Sequence, residues 1–218
     1  DLHSFPTRRS SDLLSLTSHV YIVDDDDAIR DSLSWMLQSR GISCRDFPSA
    51  EAFLDSLTPS LSGCILLDVR MSGMSGNELF EILRERGCHM PVIFLTGHGD
   101  VPLAVSALKG GAFDFFEKPC DDNQLVDRIV EALKFDEEQR AAAATAESIG
   151  ARLNRLSARE RQVMERVLAG KLNKVIADEL HVSMRTVEVH RSSLFEKMGV
   201  KTAVELAQIL VKNPVKMP

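Results

Sequence analysis

The sequence predicts an α/β fold, a doubly wound five-stranded parallel sheet, followed by an all-α helix-turn-helix domain. Three observations predict it. Five short apolar runs alternate with helix-like stretches over the first 134 residues, the pattern of buried parallel strands joined by crossover helices. Strand signal then ceases. The charge also changes sign: residues 1–150 hold 13 Lys+Arg against 25 Asp+Glu, a net of −12, whereas residues 151–218 hold 13 against 7, a net of +6. An acidic part joined to a basic part points to a polyanion met only by the second.

Strands are expected near 19–23, 42–46, 62–67, 91–95 and 113–116, and helices near 26–40, 49–57, 76–87, 100–110 and 121–134. Ile29, Leu33, Met36 and Leu37 share one helical face. Ser49 is placed as an N-cap, and Gly41 and Gly87 sit where helices should stop. Phe115 alone reads as a core residue, and its alternation with Phe113 fits that. Residues 136–152, polar and Ala-rich, form a helical or flexible linker. In the second domain, 153–218, Ser157-Ala-Arg-Glu160 has the form of a capping box. A helix near 172–180, a turn at His181-Val-Ser183 and a helix from Met184 to Met198 make the helix-turn-helix. Gly199 stops the last of these, and a further helix begins near Thr202.

Residues 1–18 are expected to be a leader outside the fold. The first thirteen resemble the conceptual translation of a sequencing-library adapter and lack the apolar core of a signal peptide. No apolar run approaches the roughly 18 residues of a membrane span. Cys44, Cys64, Cys88 and Cys120 are far apart, without metal or redox spacing, and read as reduced thiols of a cytoplasmic protein.

Polar residues end the apolar runs of the first domain: Asp24 and Asp25 after the first, Asp68 after the third, Thr96 after the fourth, Lys118 just past the fifth. Ligands of open α/β sheets bind beyond the carboxyl ends of the strands, so one pocket would gather three carboxylates, a hydroxyl and an ammonium. Hard carboxylate oxygens suit Mg²⁺ (or Mn²⁺). Asp68 can act as a carboxylate nucleophile on a phosphoryl donor, with Lys118 neutralising the oxygens it gains and Thr96 donating to one of them. Asp26 and Asp27 are read as charges at a helix N-terminus.

Ile22-Val-Asp-Asp-Asp26, Leu67-Asp-Val-Arg-Met-Ser-Gly-Met-Ser-Gly76, Leu95-Thr-Gly-His-Gly-Asp100 and Phe116-Glu-Lys-Pro119 resemble the receiver domain of a two-component response regulator, over residues 19–135. The resemblance implies the CheY-like, flavodoxin-like fold and Asp68 as phosphoacceptor. It implies Asp25, Asp68 and the Arg70 backbone carbonyl as metal ligands and Asp24 as partner of a metal-bound water. Thr96 becomes the switch hydroxyl, Phe115 the switch aromatic and Lys118 the phosphate-binding ammonium, with a cis Lys118–Pro119 bond. Arg70 and His98 would flank the path of the water that hydrolyses the acyl phosphate. The family usually carries proline where Ser72 stands, so the loop after Asp68 is expected to be looser, with no charge or ligand lost.

Leu156-Ser-Ala-Arg-Glu-Arg-Gln-Val163, Asn173 through Arg191, and Lys197-Met-Gly199 resemble a LuxR-type helix-turn-helix, and the whole order resembles the FixJ/NarL class, leaning towards FixJ. Val187, Arg191, Leu194 and Met198 form one face of the recognition helix. The apolar members should pack inward while the Arg191 stem covers the core and its charge stays free for solvent or phosphate. Arg185, Glu188, Val189 and Ser192 point elsewhere and are candidates for base edges, Glu188 by accepting from a cytosine amino group. Lys174, Thr186 and His190 are implied as backbone-phosphate contacts.

The function implied is a phosphorylation-dependent transcriptional regulator. A sensor histidine kinase supplies the phosphoryl group, the phosphorylated chain forms a homodimer, and promoter DNA and RNA polymerase are its partners. It is not an enzyme beyond phosphotransfer to itself and autodephosphorylation. The rivals are a constitutive DNA-binding dimer with the receiver as interaction module, and an aspartyl-nucleophile phosphatase. Asp68-Val-Arg70 lacks the second carboxylate of the D-x-D sequences that such phosphatases resemble.

Overall fold

The computed structural model describes residues 18–97 and 101–213; most of the leader, and His98, lie outside them. The chain divides into two compact units, residues 1–138 and 139–218.

In the first unit the strands are β1 (His19–Val23), β2 (Cys44–Phe47), β3 (Gly63–Asp68), β4 (Val92–Thr96) and β5 (Asp114–Glu117), with α1 (Asp27–Ser39), α2 (Ala50–Ser56), α3 (Gly76–Glu85) and α4 (Val101–Lys109) between them. All pairings are parallel, in the order β2-β1-β3-β4-β5. The order reverses between β1 and β3, so the crevice at their carboxyl ends is the binding position of such sheets. Both faces are covered. Val20, Ile22, Cys64, Leu66, Ile93 and Leu95 pack with Leu37, Leu125, Ile129 and Leu133 on one side. Tyr21, Val23, Ile65, Leu67 and Phe94 pack with Phe53, Leu79, Phe80 and Leu83 on the other. Double coverage is why the strands are continuous apolar runs.

Four strands end one residue later than expected, β2 at Phe47 and three others at a polar residue. Asp68, Thr96 and Glu117 are polar yet remain in the ladder, Asp68 beside Leu95 and Thr96 beside Glu117; backbone pairing does not depend on side-chain polarity. Phe113 and Phe115 each pack against a core, but not in the same layer. Phe113 precedes β5 and packs in the layer of Leu133, 5.6 Å from Phe135 and under Arg128, while Phe115 packs in the layer of Phe94.

The fifth helix, α5, runs unbroken from Asp122 to Asn154, through the segment expected as a linker. Asp136 in it is buried in the first unit and accepts the Gly63 N–H at 3.0 Å. Ile149 and Leu153 belong to the core of the second unit.

The second unit adds α6 (Ala158–Leu168), α7 (Asn173–Leu180), α8 (Met184–Met198) and α9 (Ala203–Lys212). Ser157 and Glu160 make a full capping box on α6, and Ser183 caps α8 by accepting the Thr186 N–H. Val187, Leu194 and Met198 are buried together with Val163, Val167, Ile176 and Leu206. Between α7 and α8, His181 has φ 54, and Val182 N–H closes the turn on the Ala177 carbonyl at 3.0 Å. Left-handed backbone strains a residue with Cβ, and glycine adopts it freely. His181→Gly is therefore expected to stabilise this unit by roughly 0.5–1 kcal/mol, read from urea unfolding followed by circular dichroism.

Candidate functional site

The pocket lies at the reversal of strand order. Asp24 directly follows β1, Asp68 ends β3, Thr96 ends β4 and Lys118 follows β5, so the ladder brings together side chains up to 94 residues apart. Asp24 (1% exposed), Asp68 (7%) and Thr96 (0%) are buried. The Lys118 ammonium donates to Oδ2 of Asp24 and Oδ1 of Asp68, 2.6 Å from each. Asp24 Oδ1 accepts the Asp26 N–H at 2.9 Å, and Asp68 Oδ2 accepts the Arg70 N–H at 2.8 Å. Burial raises the Asp68 carboxyl above its ordinary range, and Lys118 offsets that only in part. Burial also pulls the Lys118 ammonium down, but its two carboxylate partners outweigh that and hold it above its ordinary value. Gly76, at the start of α3, is where the helix meets Asp68: a Cβ there would stand 2.0 Å from the Asp68 carbonyl oxygen.

The loop from β3 to α3, without a proline, is tied by hydrogen bonds. Ser72 donates its N–H and its hydroxyl to Asp25 Oδ2, each at 2.7 Å, and these bonds lower the Asp25 carboxyl below its ordinary range. The Met74 N–H donates to Glu51 Oε1 at 3.2 Å, and Ser75 and Glu78 form a capping box. Proline could supply neither Ser72 bond. Asp26 is the N-cap of α1, accepting from Ala28 and Ile29, and Asp27 pairs with Arg30.

The Thr96 hydroxyl donates to the Phe116 carbonyl at 3.4 Å, and Phe115 is half-buried. The Lys118–Pro119 bond is cis.

In the second unit Arg185, Glu188, Val189 and Ser192 are all exposed on α8, and Lys174 is exposed on α7. Thr186 and His190 are half-buried, and the Thr186 hydroxyl lies 2.8 Å from the Ser183 hydroxyl. Arg191 is not left free: it donates to Asn173 Oδ1 at 2.9 Å and lies over the Phe195 ring. Glu160 is more than a cap. It is buried, and its oxygens accept from Ser193 (2.6 Å), from Lys197 (2.8 Å) and from the Ser157 N–H (2.7 Å).

Residues 20–130 match the response regulator receiver domain, and residues 154–210 match the luxR family of bacterial regulatory proteins. The chain belongs to the response regulators. It is 44% identical to the transcriptional regulatory protein FixJ of Bradyrhizobium diazoefficiens, over 91% of this chain and 97% of that protein. It is 48% identical to the C4-dicarboxylate transport transcriptional regulatory protein DctR of Rhodobacter capsulatus, over 87% of this chain and 98% of that one. Among solved structures, the response regulator StyR is similar with a TM-score of 0.84 and 37% identity, over 90% of this chain and 99% of that one. This response regulator thus joins a receiver to a LuxR-type DNA-binding domain, the organisation of a two-component transcriptional regulator. No helix among its described residues is long and apolar enough to cross a membrane.

Among the described residues of the response regulator, no three His, Cys, Asp or Glu side chains form a ready metal cluster; the Lys118 ammonium stands between Asp24 and Asp68. The donor chemistry still fits a hard divalent cation, with carboxylate oxygens on two adjacent strands and the exposed Asp25 beside the β3 loop. The sequence missed Ser72 and Glu51, which tie that loop, and Ser193 and Lys197, which hold Glu160. Its one pointer to any of these was the absence of proline at position 72.

Proposed function

We propose that this response regulator is switched by phosphorylation of Asp68. The observation that carries the reading is the Lys118 ammonium within 2.6 Å of Asp24 and Asp68 at the strand-order reversal, in a chain that also carries a DNA-binding domain. An Asp68 oxygen attacks the phosphorus of a phosphohistidine on a sensor kinase. An O–P bond forms, the P–N bond breaks, and the electron pair leaves on the imidazole. Asp25, Asp68 and the Arg70 carbonyl would hold Mg²⁺, with Asp24 reached through a bound water, and the ion would supply charge neutralisation at the phosphoryl oxygens. Lys118 remains beside the new acyl phosphate as its fixed counter-charge. The Thr96 hydroxyl exchanges its long bond to Phe116 for a phosphoryl oxygen, and Phe115 follows it inward.

That movement reshapes the α4–β5 surface, where Val105 and Leu108 are exposed, and two receivers pair there. Pairing matters because the basic excess of one LuxR-type domain is small. A dimer doubles the phosphate contacts and adds avidity. On promoter DNA, Arg185, Glu188, Val189 and Ser192 meet base edges while Lys174, Thr186 and His190 hold the backbone; RNA polymerase is the partner downstream. Moving the equilibrium from 1:99 to 99:1 takes about 5.5 kcal/mol of differential stabilisation.

Mass and promoter affinity, measured in Mg²⁺ with and without beryllofluoride, test this reading. Wild type is expected to dimerise and bind more tightly with beryllofluoride, and Asp68→Asn is expected to do neither. Equal affinity of both proteins under both conditions would favour the constitutive dimer.

A further inference from the structure

Ser72 stands two residues beyond Arg70 in the loop leaving β3. Its N–H and hydroxyl converge on one atom, Oδ2 of Asp25, each at 2.7 Å. A carboxylate oxygen has two in-plane lone pairs. The two donors fill those of Oδ2, which leaves Oδ1 as the Asp25 oxygen able to take a cation. The pocket's other carboxylates are also held by two donors, but one on each oxygen: Asp24 between the Asp26 N–H and Lys118, and Asp68 between the Arg70 N–H and Lys118. Asp25 differs in being exposed, so Ser72 supplies the order that packing supplies elsewhere.

Resting on the reading of Asp25 and the Arg70 carbonyl as cation ligands, we propose that Ser72 is a positioning residue for the divalent cation. It holds Asp25 as a one-oxygen ligand and fixes that carboxylate to the loop that carries the Arg70 carbonyl. Two oxygen donors from segments that follow different strands then meet the ion as one frame. Groups that orient a metal's ligands contribute to affinity without touching the metal. The donors also withdraw charge from Asp25, but they do so through the oxygen that does not face the ion. A fixed frame favours Mg²⁺, which demands near-octahedral geometry, over Ca²⁺, which tolerates irregular sites.

The test is calorimetric titration of the full chain with Mg²⁺, and separately with Ca²⁺, for wild type, Asp25→Asn, Ser72→Ala, Ser72→Pro and Ser72→Thr. Ser72→Ala loses one donor and is expected to weaken Mg²⁺ binding about threefold; Ser72→Pro loses both and should weaken it about tenfold. Preference for Mg²⁺ over Ca²⁺ falls in both. Ser72→Thr keeps the hydroxyl and the N–H and stays within about twofold of wild type. If Asp25→Asn abolishes binding while Ser72→Ala and Ser72→Pro bind Mg²⁺ as tightly as wild type or more so, the role of Ser72 is overturned and the cation site stands. If wild type does not bind Mg²⁺, or Asp25→Asn binds it equally well, the cation site itself is overturned.

Discussion

Lys118→Met is expected to destabilise the receiver by about 3 kcal/mol at pH 7 in EDTA. The substitution keeps an unbranched side chain, one heavy atom shorter, and removes one charge. That charge is shared by two carboxylates, Asp24 at 1% exposure and Asp68 at 7%, each 2.6 Å from the ammonium. Without it, two buried like charges face each other with little water to screen them. Burial already raises the Asp68 carboxyl, and loss of Lys118 would raise it further, which limits the loss to the lower end of what breaking a buried pair costs. Two further results should follow. Asp68→Asn in the Lys118→Met background should recover stability, because it removes the same repulsion from the other side. Millimolar Mg²⁺ should also recover part of it, since an ion bound only to the folded state adds about 2.7 kcal/mol at 100 times its Kd. Urea unfolding followed by Trp35 fluorescence reads the receiver alone, because Trp35 on α1 is the chain's one tryptophan. A midpoint equal to wild type in EDTA would show that the Lys118 ion pairs carry no weight in holding the pocket.

The receiver was legible for a physical reason. Strands covered on both faces must be apolar throughout, so β1, β3 and β4 stand out as runs, and the pocket residues stand out as the polar atoms that end them. Boundaries shifted by one residue because Asp68, Thr96 and Glu117 still share backbone pairs with the sheet. What escaped notice was contact between polar residues distant in sequence. Asp136 in a polar stretch reads as solvated surface, yet it is 3% exposed and accepts from Gly63, 73 residues away. Ser72 reads as the loss of a rigid residue. In the structure the change matters for what it adds, an N–H and a hydroxyl, and their acceptor lies 47 residues upstream. In the DNA-binding domain the 3.6-residue period correctly placed Val187, Leu194 and Met198 inside. It could not show that Arg191 meets Asn173, since helical period gives a face and not a partner.

Glu160 shows how much such a hidden contact is worth. The α6 capping box needs one Glu160 oxygen, and its sequence signature ends there. The structure adds Ser193 and Lys197 of α8, so one carboxylate fastens the start of α6 to the recognition helix, beside Ser192. Burial pushes its carboxyl up, but the bonds from Lys197, Ser193 and Ser157 overcome this and hold it at about 2, against an ordinary 4.5. A carboxyl depressed on folding stabilises the fold above its unfolded value. That stability is lost as pH falls from about 5 towards 2. The gap corresponds to about 3 kcal/mol. Glu160→Ala should therefore cost the DNA-binding domain about 3 kcal/mol at pH 7 and little at pH 2. Glu160→Gln keeps one acceptor and should fall between. Circular dichroism in urea at pH 7, 5, 4 and 3, with Trp35 fluorescence marking the receiver transition, separates this loss from acid effects on the first unit. In Glu160→Ala the second-unit transition should no longer shift with pH by this amount across that window. Promoter affinity at pH 7 should drop as well, because α8 loses the tie that orients it. A Glu160→Ala protein as stable as wild type at pH 7, or one that kept the same acid sensitivity, would mean that the Lys197 and Ser193 contacts do not set the position of the recognition helix.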